Sequence, residues 1–197
     1  MNGVNYLEDF SSLSDNDLII EARNGNNTAF TNLFYRYDKK VFSIAAQYFQ
    51  SSDDAKDVYQ EVFIRVYKGL KKFEFRSEFS TWLFRVTTNV CLTHKAQYKK
   101  IQNVSILPDE NDDSPKIELK SSEEDEPDNQ LISSERKGKV QNAIDSLAPK
   151  QRMVFMLKHI HNYKIREIAK MMECSEGTVK KYLFIATDKL RLKLKTI

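Results

Sequence analysis

The sequence predicts an all-α protein built as an N-terminal four-helix bundle and a C-terminal helix-turn-helix unit, joined by an acidic flexible linker. Three observations carry this reading. Only 5 Gly and 4 Pro interrupt 197 residues that are 41% hydrophobic and 30% charged, a composition suited to helices rather than to a turn-rich sheet protein. Apolar residues recur at helical spacing through most of the chain. Between residues 104 and 135 that periodicity stops, and PDENDDSPKIELKSSEEDEPDNQ brings three prolines and few apolar side chains. The expected division is therefore 1–103, a linker over 104–135, and 136–197.

The first helix is entered through Ser14, a side chain that can accept from a free first-turn amide, and stops at Gly25. A long second helix is predicted from about Thr28 to Gln50, with Phe30, Leu33, Phe34, Tyr37, Val41, Ile44, Ala45 and Tyr48 on its apolar stripe. Ser51 or Ser52 caps a third helix that ends near Gly69. After a loop over Lys71 to Glu78, a fourth helix runs from about Phe79 to Lys100. Each has one apolar face, so a single bundle core serves all four.

Beyond the linker, helical signals return in LISSERKGKVQNAIDSL and in PKQRMVFMLKHI, where Pro149 suits a first helical position. The next stretch, EIAKMMECSEGTVKKYL, contains Ser and Gly where a continuous helix would lose by them. A corner explains it: one helix ends near Met172 and Ser175 caps the next, which is a helix-turn-helix pattern. Val179, Leu183, Ala186 and Leu190 share the inward face of the second helix; Gly177, Lys180, Lys181, Phe184 and Asp188 share the outward one. Glu173 stands at a turn position that usually holds glycine, which implies either local backbone strain or a different turn.

Charge is distributed unevenly. Residues 1–61 carry 5 basic and 10 acidic side chains, and 62–103 carry 9 and 2. The linker carries 2 and 11, and residues 136–197 carry 15 and 5, so two basic segments flank an acidic one. Such alternation suggests two nucleic-acid contacts with a different task between them. No apolar run approaches the roughly 18 residues a membrane crossing needs, so no membrane insertion is expected. Cys91 and Cys174 lie far apart without CxxC spacing, which fits a reducing cytoplasm and argues against a disulfide framework or a zinc site; no cofactor is expected. No phosphate loop, nucleophile elbow or HExxH motif is present, and His159 and His161 read as surface or capping residues rather than ligands, so an enzyme is not expected.

Three stretches carry the functional signal. In DDAKDVYQEVFIRVYKGL, Ala55, Val58, Tyr59, Val62, Phe63, Val66, Tyr67 and Leu70 form the buried half of the wheel, opposite Asp57, Gln60, Glu61, Ile64 and Lys68. An isoleucine ringed by polar groups can mark a protein contact or be a singly exposed apolar residue; the spacing allows both. In FEFRSEFSTWLFRVTTNVCLTHKAQYKK, Phe79, Trp82, Leu83, Val86 and Val90 form a core stripe, while Arg85, Thr88, Leu92, Lys95 and Lys99 share another face with Asn89 at its edge. The aromatic loop before it, with Phe75 and Arg76, could cradle an unstacked base or fold back into the core. The helix-turn-helix supplies a helix N-terminus, a hydroxyl at Thr178, lysines for phosphates and Phe184 for a thymine methyl.

DxxQExFxRxY at Asp57 to Tyr67, FSTWLxRxxxN at Phe79 to Asn89, and REIAxxM followed by SxGTVK from Arg166 to Lys180 occur in the order seen in the sigma-70 family of RNA polymerase sigma factors. The chain resembles the minimal two-domain, extracytoplasmic-function (ECF) class of that family over about Leu13 to Lys100 and Val140 to Leu194. The resemblance implies a bacterial, cytoplasmic transcription initiation factor that binds core RNA polymerase, directs it to promoters and helps to melt the minus-ten region. It assigns Asp57, Gln60, Glu61 and Ile64 to the polymerase clamp. Phe75, Arg76, Ser80, Arg85, Thr88, Asn89, Lys95 and Lys99 correspond to single-stranded minus-ten recognition. Ser175, Glu176, Gly177, Thr178, Lys180, Lys181 and Phe184 correspond to the duplex minus-thirty-five element. An anti-sigma factor is the further partner the family implies. The chain departs from the family in carrying Tyr182, Ile185 and Thr187 where arginines are usual. A stand-alone helix-turn-helix regulator is the rival reading; it would need a dimer interface and a sensor pocket, and the sequence offers neither.

Overall fold

The computed structural model of the chain describes residue 10 and residues 12–49, 51–104 and 138–195, with backbone only for 98–104. Every regular element among them is α-helical. The expected linker lies outside the described residues from 105 onward, and so does the side chain of Lys99.

The N-terminal unit contains α1 (Asp15–Arg23), α2 (Asn27–Tyr35), α3 (Asp38–Tyr48), α4 (Ser52–Leu70) and α5 (Phe79–Val104). Ser14 closes a capping box with Asp17, its hydroxyl accepting from the Asp17 amide at 3.2 Å and its own amide donating to the Asp17 carboxylate at 3.3 Å. Gly25, at φ 98°, ends the turn that follows. Ser51 caps α4 by accepting from the Asp54 amide at 3.2 Å.

The single long helix expected over 28–50 is in fact two, because the chain turns at Arg36 and Tyr37. Arg36 reaches across to α1, pairing with Asp15 at 2.9 Å and donating to the Phe10 and Leu13 carbonyls at 3.0 and 2.6 Å. The Tyr37 hydroxyl also donates to Asp15. These tertiary bonds fix a corner that apolar spacing alone cannot reveal. Burial and the hydrogen bond to Asp15 both raise the Tyr37 phenol above its ordinary pKa.

In the C-terminal unit, α6 (138–145) precedes α7 (Pro149–His159), α8 (Ile165–Met171) and α9 (Glu176–Lys195). Pro149 stands in the first turn of α7 as its sequence predicts. Ala143, Leu147, Ala186 and Leu190 make a small core of their own. The larger core is continuous across both units, joining α2 to α5 with Met153, Leu157, Ile168 and Val179. The Tyr48 hydroxyl donates to the Pro149 carbonyl at 3.5 Å, and the buried Arg152 guanidinium lies 5.2 Å over the Tyr48 ring while pairing with Asp145 at 2.5 Å. A cation so enclosed is tolerable because a carboxylate and a ring face it.

Candidate functional site

Helix α4 buries Ala55, Val58, Val62, Val66 and Leu70 and leaves Asp57, Gln60 and Ile64 exposed, with Glu61 half-buried. Glu61 accepts from Arg65 one turn on, at 2.6 Å. The buried half of the wheel is narrower than its apolar pattern implies, because Phe63 and Tyr67 come to the surface, 36% and 50% exposed. They turn sideways to meet α2: Phe63 packs edge-on at 5.1 Å from Phe30 and 4.8 Å from Phe34, and Tyr67 at 4.9 Å from Phe30. Ile64, 43% exposed, therefore adjoins an aromatic margin rather than standing alone. Apolar surface bordered by carboxylates is the composition of a protein contact.

After α4 the chain passes through 71–78, where Phe75 adopts φ 56°, a left-handed conformation costly for an aromatic residue. Phe73 is buried and meets Trp82 at 5.3 Å; Phe75 is 40% exposed and meets Phe73 at 5.2 Å. Gly69 on α4 leaves room for the indole, since a Cβ there would stand 3.0 Å from Trp82 Cζ2. The result is a cleft of about 360 Å³ lined by Lys72, Phe73, Arg76, Trp82 and Arg85, among others. Aromatic walls with cations at the rim can hold an unstacked base and its phosphate. Arg76 pairs with Glu74 at 2.8 Å, Ser80 and Lys95 are partly exposed, and Asn89 is exposed. Trp82 packs against the core as its stripe predicts, and its partly buried ring is also a wall of this cleft.

The helix-turn-helix forms as expected. Ser175 caps α9, its hydroxyl accepting from the Thr178 amide at 3.1 Å. Val179 is fully buried, whereas Ser175, Glu176, Gly177, Lys180, Lys181 and Phe184 are exposed, Phe184 at 75%. Thr178 is partly buried, its hydroxyl 2.9 Å from that of Ser175. Glu173 has φ 49°, so the turn does place a glutamate in the left-handed region.

The two units meet where nucleic-acid contacts were expected. Arg85 pairs with Glu173 at 3.1 Å. Thr88, expected to face DNA, is fully buried and donates to the Met171 carbonyl at 3.0 Å. In this arrangement α8 covers it, which also explains why α5 buries more of its circumference than one apolar stripe provides. Cys91, enclosed on the same helix, has its thiol pushed up to about 12 by burial. Arg23, which sequence periodicity did not single out, lies behind the loop: it donates from Nε to the Leu70 carbonyl at 3.0 Å and from Nη2 to the Phe73 carbonyl, with its guanidinium 4.9 Å over the Phe75 ring.

Family models match in the same two places, "Sigma-70 region 2" over residues 33–101 and "Sigma-70, region 4" over 137–190. The ECF RNA polymerase sigma-E factor of Escherichia coli is 32% identical over 188 residues, spanning 94% of this chain and 96% of the relative. The chain belongs to the ECF class of the sigma-70 family. The ECF sigma-E factor of Haemophilus influenzae is 30% identical over 186 residues, 94% of this sigma factor and 97% of the relative. Among solved structures, CnrH in complex with the cytosolic domain of CnrY superposes with a TM-score of 0.63 at 20% identity, covering 92% of this chain and 97% of that one. The sigma factor RpoE of Bartonella quintana, in complex with the anti-sigma factor NepR, gives 0.57 at 19%, covering 84% and 96%. At such identities the two structures speak for the all-helical fold. Among the described residues no helix of this sigma factor is long and apolar enough to cross a membrane.

Proposed function

We propose that this sigma factor binds core RNA polymerase through the α4 face of Asp57, Gln60, Glu61 and Ile64 and directs it to promoters. The cleft beneath loop 71–78, with α5, captures bases of the melted minus-ten strand, and α9 reads the minus-thirty-five duplex. The observation that carries this reading is the separation of three surfaces by chemistry: apolar and acidic on α4, aromatic and basic at the cleft, basic and exposed on α9. Each suits one of the three partners that promoter opening requires. Residues 1–103 and 136–197 are the working domains, and the net −9 linker has length to spare. Its 32 residues extend to about 110 Å, against about 50 Å for one and a half turns of duplex.

The factor acts in the bacterial cytoplasm as a regulator without enzymatic activity of its own, and an anti-sigma factor holds it in reserve, a reading supported by the complex of the Bartonella quintana neighbour with its anti-sigma factor NepR. The test is capture of core RNA polymerase by the tagged chain followed by run-off transcription. Promoter-specific transcripts that require the chain support the reading. A chain that binds promoter duplex but never polymerase would favour a stand-alone regulator.

A further inference from the structure

We propose that Arg23 is a positioning residue for base capture, holding loop 71–78 in the shape that sets Phe73 and Arg76 in the wall of the cleft. The proposal rests on reading that loop as the minus-ten capture element. Helix α4 ends at Leu70, and the chain must reach Phe79 through residues that form no regular structure. Along that path Phe75 occupies the left-handed region, which an aromatic residue keeps only when its surroundings enforce it. Phe73 anchors one point by burial, but no apolar contact of that kind fixes the backbone carbonyls. Arg23 does so from α1. Its Nε donates to Leu70 O at 3.0 Å and its Nη2 to Phe73 O, while the guanidinium plane covers the Phe75 ring at 4.9 Å.

These contacts need a planar fork with donors on two edges and an open face; an ammonium is a point charge and cannot supply all three. A cation placed only to complement the end of α1 could be lysine and could point to solvent. Instead the half-buried side chain spans 47 and 50 residues of sequence to reach its two acceptors. Neither Arg23 nor the Phe75 ring it covers lines the cleft, so its effect on DNA passes through the course of the loop that carries Phe73 and Arg76 rather than through a phosphate.

The test uses holoenzyme assembled from core polymerase with wild-type, Arg23→Gln or Arg23→Lys chain. The probe is a labelled single-stranded DNA bearing the hexamer that wild-type holoenzyme selects from a randomised pool, together with versions lacking each base in turn. Wild type should bind the intact strand more tightly than the strand missing the captured base. Arg23→Gln should lose on the order of tenfold for the intact strand, the scale of one aromatic stacking contact, and bind the abasic strand as wild type does. Arg23→Lys should resemble Gln. Full recovery with lysine would show that charge alone acts and would overturn the proposal. So would equal losses on intact and abasic strands, or no loss on either. If wild type itself shows no preference for the intact strand, the minus-ten reading fails and the positioning role falls with it.

Discussion

Glu173, in the turn of the helix-turn-helix, lies 3.1 Å from Arg85 on α5 and so ties the two helical units together through a residue with a left-handed backbone. A left-handed conformation costs a non-glycine residue about 1 kcal/mol or more, whereas a partly exposed ion pair returns between zero and about 1. Glu173→Gly should therefore raise the urea midpoint slightly, corresponding to a few tenths to about 1 kcal/mol of unfolding free energy. Glu173→Ala keeps the strain and loses the pair, and should lower it. Equal midpoints for the two variants would mean that the turn is not strained.

Thr88 gives up its surface to the same contact, donating to the Met171 carbonyl beneath α8. If α5 is to meet DNA, the units must part. Hydrogen exchange should report this: amides of α8 and of α5 near Thr88 should lose protection when the chain binds core polymerase. Unchanged protection in holoenzyme would mean that Thr88 never faces DNA.

Lys180 and Lys181 are exposed on α9 beside its capped N-terminus. Lys180→Ala with Lys181→Ala should weaken binding to minus-thirty-five duplex and reduce the slope of log K against log salt by about 2, roughly one per lost phosphate contact. An unchanged slope would remove these side chains from the backbone contacts.

Burial holds the His161 imidazole below its ordinary pKa, and its Nε2 is buried without a hydrogen-bond partner among the described residues. The folded state therefore resists a proton that the unfolded chain accepts near pH 6.5. The unfolded state binds more protons as pH drops below that value, so this residue's contribution to stability is present above about 6.5 and is lost toward the lower folded pKa. Urea midpoints measured from pH 8 to pH 5 should fall less steeply for His161→Gln than for wild type. Parallel curves would mean that His161 does not couple folding to protons.

Much of this was legible in the sequence, for identifiable reasons. Ser14, Ser175 and Pro149 announce helix starts by local chemistry, and the structure has all three in those roles. Glutamate at a position that prefers glycine left strain or a different turn open, and the left-handed backbone of Glu173 decides for strain. Long-range bonds were invisible. Arg36 breaks a helix by reaching α1, and Arg23 supports a loop about fifty residues away, yet neither disturbs an apolar stripe. Phe63 and Tyr67 read as core because a helical wheel counts apolarity and cannot see that α2 offers them edge contacts at the surface. Thr88 read as exposed because α5 was judged against its own bundle alone, whereas α8 of the other unit covers that face.

The most direct measurement is run-off transcription by core polymerase supplied with the Asp57→Ala, Ile64→Ala double variant. Both side chains are exposed on α4, so the folded unit should keep its unfolding midpoint. Capture of core polymerase and promoter-specific transcript should both be lost, while binding of α9 to duplex persists. Undiminished transcription from that variant would place the polymerase contact elsewhere and contradict the assignment of α4.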